Sequence, residues 1–328
     1  MRPPEFWTRD GPAAQLLAPL GLAYGLGGRL RLALGRRAQA GVPVVCVGNL
    51  TVGGAGKTPV VLALLERLSE RGWPAHVLGR GYGGQAAGPL RVDPDSHEAS
   101  EVGDEALLLA RAAPTWVARD RAAGARAAVA AGAPALVLDD GFQSPRLVQD
   151  LALVVVDAGS GFGNGRVLPA GPLRETVEAG LARADAVVLL GDGEADKRLG
   201  DRLARAGKPL LRARIEPAVE PSAWRGRRIL AFAGIGRPDK VFATLATLGA
   251  KAVGTRAFAD HHPYRRAEIE ALLAEAKRRD AVAVTTEKDA VRLPPDLRTR
   301  VETLPVSVRW DDPAALDALL APLFPPGG

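Results

Sequence analysis

Hydrophobic residues in the first two thirds of the chain form short apolar runs that alternate with longer segments of helical periodicity. Strands that are apolar at nearly every position are typical of a mostly parallel sheet covered by helices on both faces. The segment 58–71 repeats its apolar residues at helical spacing and stops at Gly72, so a helix is predicted there. The predicted strands of this series are 43–48, 75–78, 135–139, 151–157 and 186–190.

A second, shorter series of strands and helices follows a proline-rich stretch at 216–222, which we interpret as a linker. Its predicted strands are 229–234, 251–257, 282–285 and 303–308, and its predicted helices are 240–248, 265–279 and 313–323. The pattern therefore predicts an α/β protein with a larger, mostly parallel sheet domain at 38–220 and a smaller α/β domain at 221–328.

The N-terminal segment 1–37 is apolar without a strand pattern, and we predict a membrane-associating helix there. Leu16, Leu20 and Tyr24 recur at helical spacing, and several arginines follow them. Such a helix suits the interface of an acidic membrane, and packing on the protein's own core is an equally open interpretation. A transmembrane helix is less favoured, because prolines and glycines interrupt a tract that is barely long enough to span a bilayer.

The net charge limits which partners the chain is expected to bind, and the cysteine content limits which disulfides and metal sites it can form. The formal net charge of +6 favours an anionic partner. The basic residues are scattered and not interleaved with aromatic residues, so a nucleic-acid partner is not expected. The single cysteine, Cys46, excludes an intramolecular disulfide and any metal site built from several cysteines. No obligate protein partner is evident from the sequence.

The sharpest local signal is a glycine-rich loop between a predicted strand and a predicted helix, which is the context that a P-loop requires. Its glycines allow backbone N–H groups to surround phosphate oxygens. Lys57 is predicted to bridge the β- and γ-phosphates of ATP, and the Thr58 hydroxyl to ligate Mg²⁺. Thr51 stands where the standard motif has its first glycine. The predicted nucleotide-binding residues are Thr51, Val52, Gly53, Gly54, Ala55, Gly56, Lys57 and Thr58.

A second part of the phosphate site is predicted where the apolar run 135–138 ends in two carboxylates. Asp139 and Asp140 are candidate Mg²⁺ ligands, although an ordinary Asp-Gly turn is the alternative. Glu105 is a further candidate ligand.

The acceptor side has candidates for a general base and for substrate contacts. Asp104 is a candidate base, with a helix N-cap as the alternative interpretation. His261 is a candidate partner for it, with a polar helix start as the alternative. The remaining candidates are substrate contacts from two loops, of which the second is long and irregular. They are Arg80, Tyr82, Asn164, Arg174 and Glu175.

Taken together, these motifs resemble those of the tetraacyldisaccharide 4′-kinase family, the lipid A 4′-kinases of Gram-negative bacteria. Each motif alone is modest, but their order along most of the chain is highly specific. The matching segments are 47–58, 79–83, 103–105, 139–143, 162–165, 168–175, 233–236, 260–261 and 286–289.

The resemblance implies phosphorylation of the 4′-hydroxyl of a tetraacylated disaccharide 1-phosphate at the cytoplasmic face of the bacterial inner membrane, with ATP and Mg²⁺. It implies that Asp104 is the catalytic aspartate and that His261 supports it. It also implies a metal-linked role for the Asp139–Asp140 pair. Two departures leave local roles open: Ser144 replaces a frequent histidine, and His262 is an extra histidine beside His261.

Three other classes of function remain as alternatives. A membrane-associated ATPase or GTPase switch is disfavoured because Val52 replaces the signature lysine of its dimer-forming subclass, and because the chain has no Asn-Lys-x-Asp guanine signature. A nucleotide-binding scaffold would lack hydroxyl-dependent ATP turnover. A kinase with a soluble acceptor would not need the apolar N-terminal tract.

Overall fold

The structure, a computed structural model, describes residues 4–191 and 197–325. Within these ranges thirteen strands form a nine-stranded and a four-stranded sheet. The strands are β1 Val44–Gly48, β2 His76–Gly79, β3 Leu90–Arg91, β4 Thr115–Val117, β5 Leu136–Asp139, β6 Leu151–Asp157, β7 Ala186–Leu190, β8 Leu210–Pro217, β9 Arg228–Ala233, β10 Lys251–Ala257, β11 Val282–Thr286, β12 Glu302–Leu304 and β13 Val306–Trp310. The helices are α1 Pro12–Leu34, α2 Lys57–Glu70, α3 Ala99–Val102, α4 Asp104–Ala110, α5 Arg121–Ala130, α6 Val177–Arg183, α7 Lys197–Ala206, α8 Pro238–Thr247, α9 Arg266–Arg278, α10 Glu287–Ala290, α11 Pro295–Arg298 and α12 Pro313–Leu320.

The large sheet has the order β13-β8-β7-β6-β1-β5-β2-β4-β3. Its inner strands are parallel, and the edge strands β3 and β13 are antiparallel to their neighbours. The mostly parallel α/β fold that the sequence predicts is therefore confirmed. Since β1 lies between β5 and β6, the carboxyl ends of these three strands meet at one edge, where open α/β sheets bind ligands.

Both faces of the large sheet are covered by apolar side chains. On one face, α2 buries Val60, Val61 and Leu64 against the strands, and α12 and the residues after it add Leu316 and Phe324. On the other face, residues from α5, α6 and α7 pack with those of the loop that follows β5. Burial on both faces explains why these strands are apolar at nearly every position.

The small sheet is parallel throughout, with the order β10-β9-β11-β12. One of its cores contains Phe232, Ile269 and Leu272, and the other contains Trp224 and Leu245. This arrangement corresponds to the smaller α/β unit that the sequence predicts.

The C-terminal segment differs from the predicted boundaries of the smaller domain. The single strand predicted at 303–308 is two strands, because Pro305 has no N–H group with which to continue the ladder. β12 completes the small sheet, whereas β13 pairs antiparallel with β8 in the large sheet. Arg67 Nε donates to Asp317 Oδ1 at 2.8 Å, which ties α12 to α2. The chain from β13 onward thus packs with the larger domain and not within the predicted 221–328 unit.

The N-terminal helix α1 places its small residues against the protein and its leucines outward. Ala14, Gly21 and Gly25 are buried, and a Cβ added to Gly21 would lie 2.8 Å from Val167 O. On the opposite side, Leu16 is 82% exposed and Leu22 is 76% exposed. Among the described residues no helix is both long and apolar enough to cross a membrane. The helix therefore rests on the protein through a narrow face of small residues.

Candidate active site

The glycine-rich loop connects β1 to the N-terminus of α2 at the carboxyl edge of the large sheet. Gly53 and Gly56 adopt φ values of +111° and +81°, which favour glycine. A Cβ on Gly56 would also collide with Leu190. The loop therefore leaves the backbone N–H groups at the start of α2 available for an anion.

Thr51 fits the loop because its backbone is braced in a strand-like contact. It forms an antiparallel bridge with Leu173, and the next amide, that of Val52, donates to Pro172 O at 2.8 Å. An extended residue needs no glycine, which accounts for the departure from the standard motif.

Lys57 is held above the loop by two polar groups. Its Nζ lies 3.3 Å from Asn49 Oδ1 and 3.7 Å from Asp140 Oδ1. Asn49 is fully buried and also donates to Thr51 O at 2.8 Å. The ammonium group is therefore positioned by residues of the loop itself and of the neighbouring strand β5.

The two aspartates at the end of β5, Asp139 in the strand and Asp140 just after it, have opposite electrostatic surroundings. Burial, together with the negative charge of Glu105, raises the pKa of Asp139 to about 7. Burial would also raise the pKa of Asp140, but Lys57 and Arg174 outweigh it and lower that pKa. Arg174 donates to both Asp140 carboxylate oxygens, at 2.8 and 3.0 Å.

These residues fit a Mg²⁺ ion that the nucleotide shares. Asp139 Oδ1 is buried and has no hydrogen-bond partner among the described residues, so it can accept a metal or a water bound to one. Within the same part of the chain no group of His, Cys, Asp or Glu side chains forms a complete metal site. Mg²⁺ in kinases usually takes one or two carboxylates and completes its shell with phosphates and water. Thr58, at the start of α2, and Glu105 remain candidate ligands.

Asp104 begins helix α4 and is paired with a histidine from the smaller domain. Its Oδ2 lies 2.8 Å from His261 Nδ1, and its Oδ1 accepts the N–H of Glu105 at 2.9 Å. The N-cap interpretation does not hold, because Gly103 occupies that position, with φ +90°. The carboxylate is 5% exposed.

Cations from the smaller domain keep Asp104 ionised. Burial would raise the pKa of Asp104, but the hydrogen bond from His261 and the charges of Lys288 and Arg292 outweigh burial and lower it. Lys288 also donates to Glu105 at 2.9 Å. The carboxylate therefore carries its negative charge at neutral pH and is able to accept a proton.

The two adjacent histidines have different roles in the structure. His261 adopts φ +57° and faces Asp104. His262 instead contacts Glu268, with 3.1 Å between Nε2 and Oε2, and stacks on Phe258 with 4.7 Å between ring centroids. The geometry thus selects His261, a choice that the sequence left open.

Arg174 and Glu175 brace the phosphate side of the site. Besides Asp140, Arg174 contacts Gln143 Oε1 at 3.1 Å. Glu175 is buried and accepts two hydrogen bonds from Arg183, at 2.6 and 2.7 Å. Gln143 lies in the matching segment 139–143 but had no predicted role, and Arg183, the last residue of α6, was not predicted because a single arginine at a helix end carries no distinctive pattern.

The other predicted substrate residues fall in two different places. Asn164 donates to the backbone carbonyls of Phe6 and Ala170, each at 2.9 Å, so it ties the N-terminal segment to a loop. Arg80 and Tyr82 lie in the cleft, where Tyr82 is 72% exposed and its ring centroid is 5.9 Å from that of His261. These two remain the candidates for direct acceptor contact.

One large cleft connects the glycine-rich loop and the Asp139–Asp140 pair with Arg80, Tyr82, Asp104 and His261. It has a volume of about 4450 Å³ and extends from α1, through the glycine-rich loop, to the inner face of the smaller domain. A nucleotide at the loop and a bulky acceptor between α1 and His261 would both face this space.

Comparison with known proteins agrees with the geometry. A family model described as tetraacyldisaccharide-1-P 4′-kinase (LpxK) matches residues 13–324. The tetraacyldisaccharide 4′-kinase of Rhodospirillum rubrum is 56% identical over 323 residues, which cover 98% of this chain and 97% of that protein. The one from Rhodospirillum centenum is 57% identical over 330 residues, which cover 99% and 97% of the two chains.

A solved structure supports the same relationship. The crystal structure of LpxK from Aquifex aeolicus in complex with ATP superimposes with a TM-score of 0.77 at 27% identity, and the match covers 95% of this chain and 100% of that one. The resemblance drawn from the sequence motifs is thereby confirmed, and the chain belongs to the tetraacyldisaccharide 4′-kinase family.

Proposed function

We propose that this chain is an ATP-dependent lipid kinase that transfers the γ-phosphoryl group of ATP to the 4′-hydroxyl of a tetraacyldisaccharide 1-phosphate in lipid A biosynthesis. The observation that carries the proposal is that a P-loop and the buried Asp104 carboxylate, which contacts His261, face one cleft. Family membership supports the substrate class.

The nucleotide side works through alignment and charge. Backbone N–H groups of residues 53–58 surround the phosphates, and Lys57 neutralises charge that develops on the transferred group. Mg²⁺, when bound beside Thr58 and Asp139, supplies further positive charge to the phosphate oxygens. Asp140 and Arg174 help to position Lys57, because the Asp140 carboxylate contacts both Arg174 and Lys57.

The acceptor side works through a positioned carboxylate. The 4′-oxygen forms a bond to the γ-phosphorus while the bond from that phosphorus to the β,γ-bridging oxygen breaks, so ADP leaves. The hydroxyl proton passes to Asp104, and His261 keeps this carboxylate oriented. Because phosphoryl transfer has a loose transition state, late proton removal suits an aspartate with a low pKa.

The acceptor is expected to reach the cleft from a membrane surface, at the cytoplasmic face of the bacterial inner membrane. Leu16, Leu22 and Leu26 are exposed on α1, and Arg31 and Arg36 lie towards its C-terminal end, where they line the cleft. An exposed apolar face followed by arginines suits partial insertion into an acidic bilayer. Such a position would place acyl chains beside α1 and the sugar beside Arg80 and Tyr82.

The kinase activity is tested by incubating the purified chain with Mg²⁺, tetraacyldisaccharide 1-phosphate in detergent micelles, and ATP radiolabelled on its γ-phosphate. We expect label on the lipid with the wild type and none with Lys57→Ala. Hydrolysis of ATP without lipid labelling would favour a switch protein. Absence of both activities in folded, ATP-binding protein would favour a scaffold.

The membrane position is tested by co-sedimentation with vesicles that contain acidic phospholipid. A variant with Leu16→Gln, Leu22→Gln and Leu26→Gln is expected to lose binding. A matched control is Leu210→Gln, since Leu210 is a partly exposed leucine on the large sheet. Equal binding of both variants would contradict the assignment to α1.

A further inference from the structure

We propose that Arg292 is a positioning residue of the acceptor side, which holds the turn that carries His261 against Asp104. The inference rests on the proposed function and extends it to a residue that contacts neither ATP nor the acceptor in that scheme. Arg292 follows α10 in the smaller domain, and its side chain is 5% exposed.

The guanidinium of Arg292 bonds two carbonyls that flank the His261 turn. It donates to Gly234 O at 2.9 Å and to His262 O at 3.1 Å. The backbone N–H of His261 also donates to Gly234 O, at 3.1 Å. One side chain thereby connects the end of β9 with the residue that follows His261.

The same guanidinium reaches Asp104. Its Nε lies 3.4 Å from Asp104 Oδ2, the oxygen that contacts His261. Arg292 is thus in contact with the carboxylate from the larger domain while it bonds the turn of the smaller domain. Its planar group of several donors can make these contacts together, which a single ammonium group cannot do.

Buried aspartate Asp289 fixes the orientation of Arg292. Asp289 is fully buried and accepts from Arg292 at 2.6 Å, from Tyr264 Oη at 2.9 Å and from the N–H of Gly234 at 2.9 Å. The Tyr264 ring lies under the guanidinium, with 5.6 Å between Arg292 Cζ and the ring centroid. Asp289 and Tyr264 therefore hold the guanidinium of Arg292 in place.

The conformation of His261 explains why this turn needs support. A non-glycine residue at φ +57° is held in an uncommon backbone region, which persists only where the surroundings determine it strongly. Because the arginine bonds both sides of the turn, its loss would let the imidazole move away from Asp104. Buried ion pairs often contribute little net stability, so a positioning role accounts for this one better than stability does.

The test uses Arg292→Met and Arg292→Lys in the full chain, with Arg228→Met as the matched control. Arg228 also donates to backbone carbonyls of the smaller domain, those of Arg279 and Asp280, but at the other end of β9. We expect Arg292→Met to lower kcat roughly 10-fold, with the KM for ATP unchanged. Arg292→Lys should restore part of that loss, and Arg228→Met should keep the wild-type kcat.

A double-mutant cycle separates positioning from general structural damage. In a His261→Ala background, Arg292→Met should lower kcat by less than about twofold, because both substitutions remove the same arrangement. A wild-type kcat in Arg292→Met, or an undiminished loss in the His261→Ala background, would overturn the inference.

If Arg292→Met does not fold, Tyr264→Phe removes one bond to Asp289 and retains the ring. A few-fold lower kcat with unchanged KM for ATP is then expected, and a wild-type kcat would overturn the inference. A wild-type protein that labels no lipid would overturn the proposed function itself.

Discussion

The nucleotide side and the acceptor side of the cleft are built in different ways. The nucleotide side is one continuous stretch between β1 and α2, braced by Asp140 and Pro172 of the same domain. The acceptor side joins Asp104 of the larger domain to His261 and Arg292 of the smaller one. One half therefore depends on local sequence, and the other depends on how two domains are placed.

This difference predicts how the two halves respond to motion. The chain crosses between the two domains twice, once after β8 and once at Pro305, just before β13. The two crossings lie side by side, since Ala218 N donates to Pro305 O at 2.9 Å. Rotation there would separate Asp104 from His261, and Glu105 from Lys288, without changing the P-loop. We therefore expect ATP binding and acceptor activation to be separable properties.

The largest effect is expected when the nucleotide side loses its cation. Lys57→Ala should lower turnover about 10³-fold or more, because it removes the ammonium group that Asn49 and Asp140 hold above the loop. ATP affinity should fall as well, and thermal unfolding should stay close to that of the wild type. Lipid labelling and a nucleotide-binding titration measure the two quantities, and retained turnover would remove Lys57 from the mechanism.

A smaller and more selective effect is expected on the acceptor side. Asp104→Ala should lower kcat roughly 10²-fold, since a positioned base contributes at least this much. ATP binding should be almost unchanged, because Asp104 belongs to the half that the nucleotide does not need. Asp104→Asn is the isosteric control. Near-normal turnover in either variant, or an equal loss of ATP affinity, would contradict the separation of the two halves.

The same contrast explains what could be predicted from the sequence. The strands 43–48 and 135–139 and the loop between Gly48 and Thr58 are local patterns, so their fold and chemistry were readable. Asp104 and His261 were predicted as partners, but the geometry of the 2.8 Å contact between them is not a property of either segment.

Long-range packing explains what was missed. Arg292 lies beside the motif at 286–289, but only the folded domain shows that it reaches Asp104. The path of the chain at Pro305, which returns β13 to the large sheet, likewise depends on a partner strand, β8, that was not predicted. The predicted substrate role of Asn164 rested on an irregular loop, and its backbone partner Phe6 is distant in sequence.

Asn164 offers a test outside both catalytic halves. Asn164→Ala leaves the carbonyls of Phe6 and Ala170 without a donor, so the free energy of unfolding should fall by about 2 kcal/mol. Turnover of the folded fraction should change little. Asn164→Asp cannot donate to these carbonyls and should be no more stable than Asn164→Ala. Chemical denaturation measures the effect, and a large rise in lipid KM at unchanged stability would restore the predicted substrate role.

A final effect of no more than similar size, confined to high pH and metal-free protein, is expected from the protonation of Asp139, whose pKa is raised whereas that of Asp104 is lowered. With a pKa of about 7 in the folded protein and 3.8 as its ordinary value, Asp139 binds its proton more tightly when the protein is folded. Its contribution to stability is therefore full below about pH 4 and is lost as the pH rises through 7.

Asp139→Asn removes this dependence because the amide does not titrate. In metal-free protein the variant should be more stable than the wild type by about 2 kcal/mol at pH 8, and the difference should shrink towards pH 4. Urea unfolding at several pH values, with and without Mg²⁺, measures it. Mg²⁺ should stabilise the wild type more than the variant at pH 8, since the ionised carboxylate is the form that binds metal. A difference that does not change with pH would contradict the raised pKa of Asp139. It would mean that Asp139 on the nucleotide side is already ionised without metal, as Asp104 is on the acceptor side.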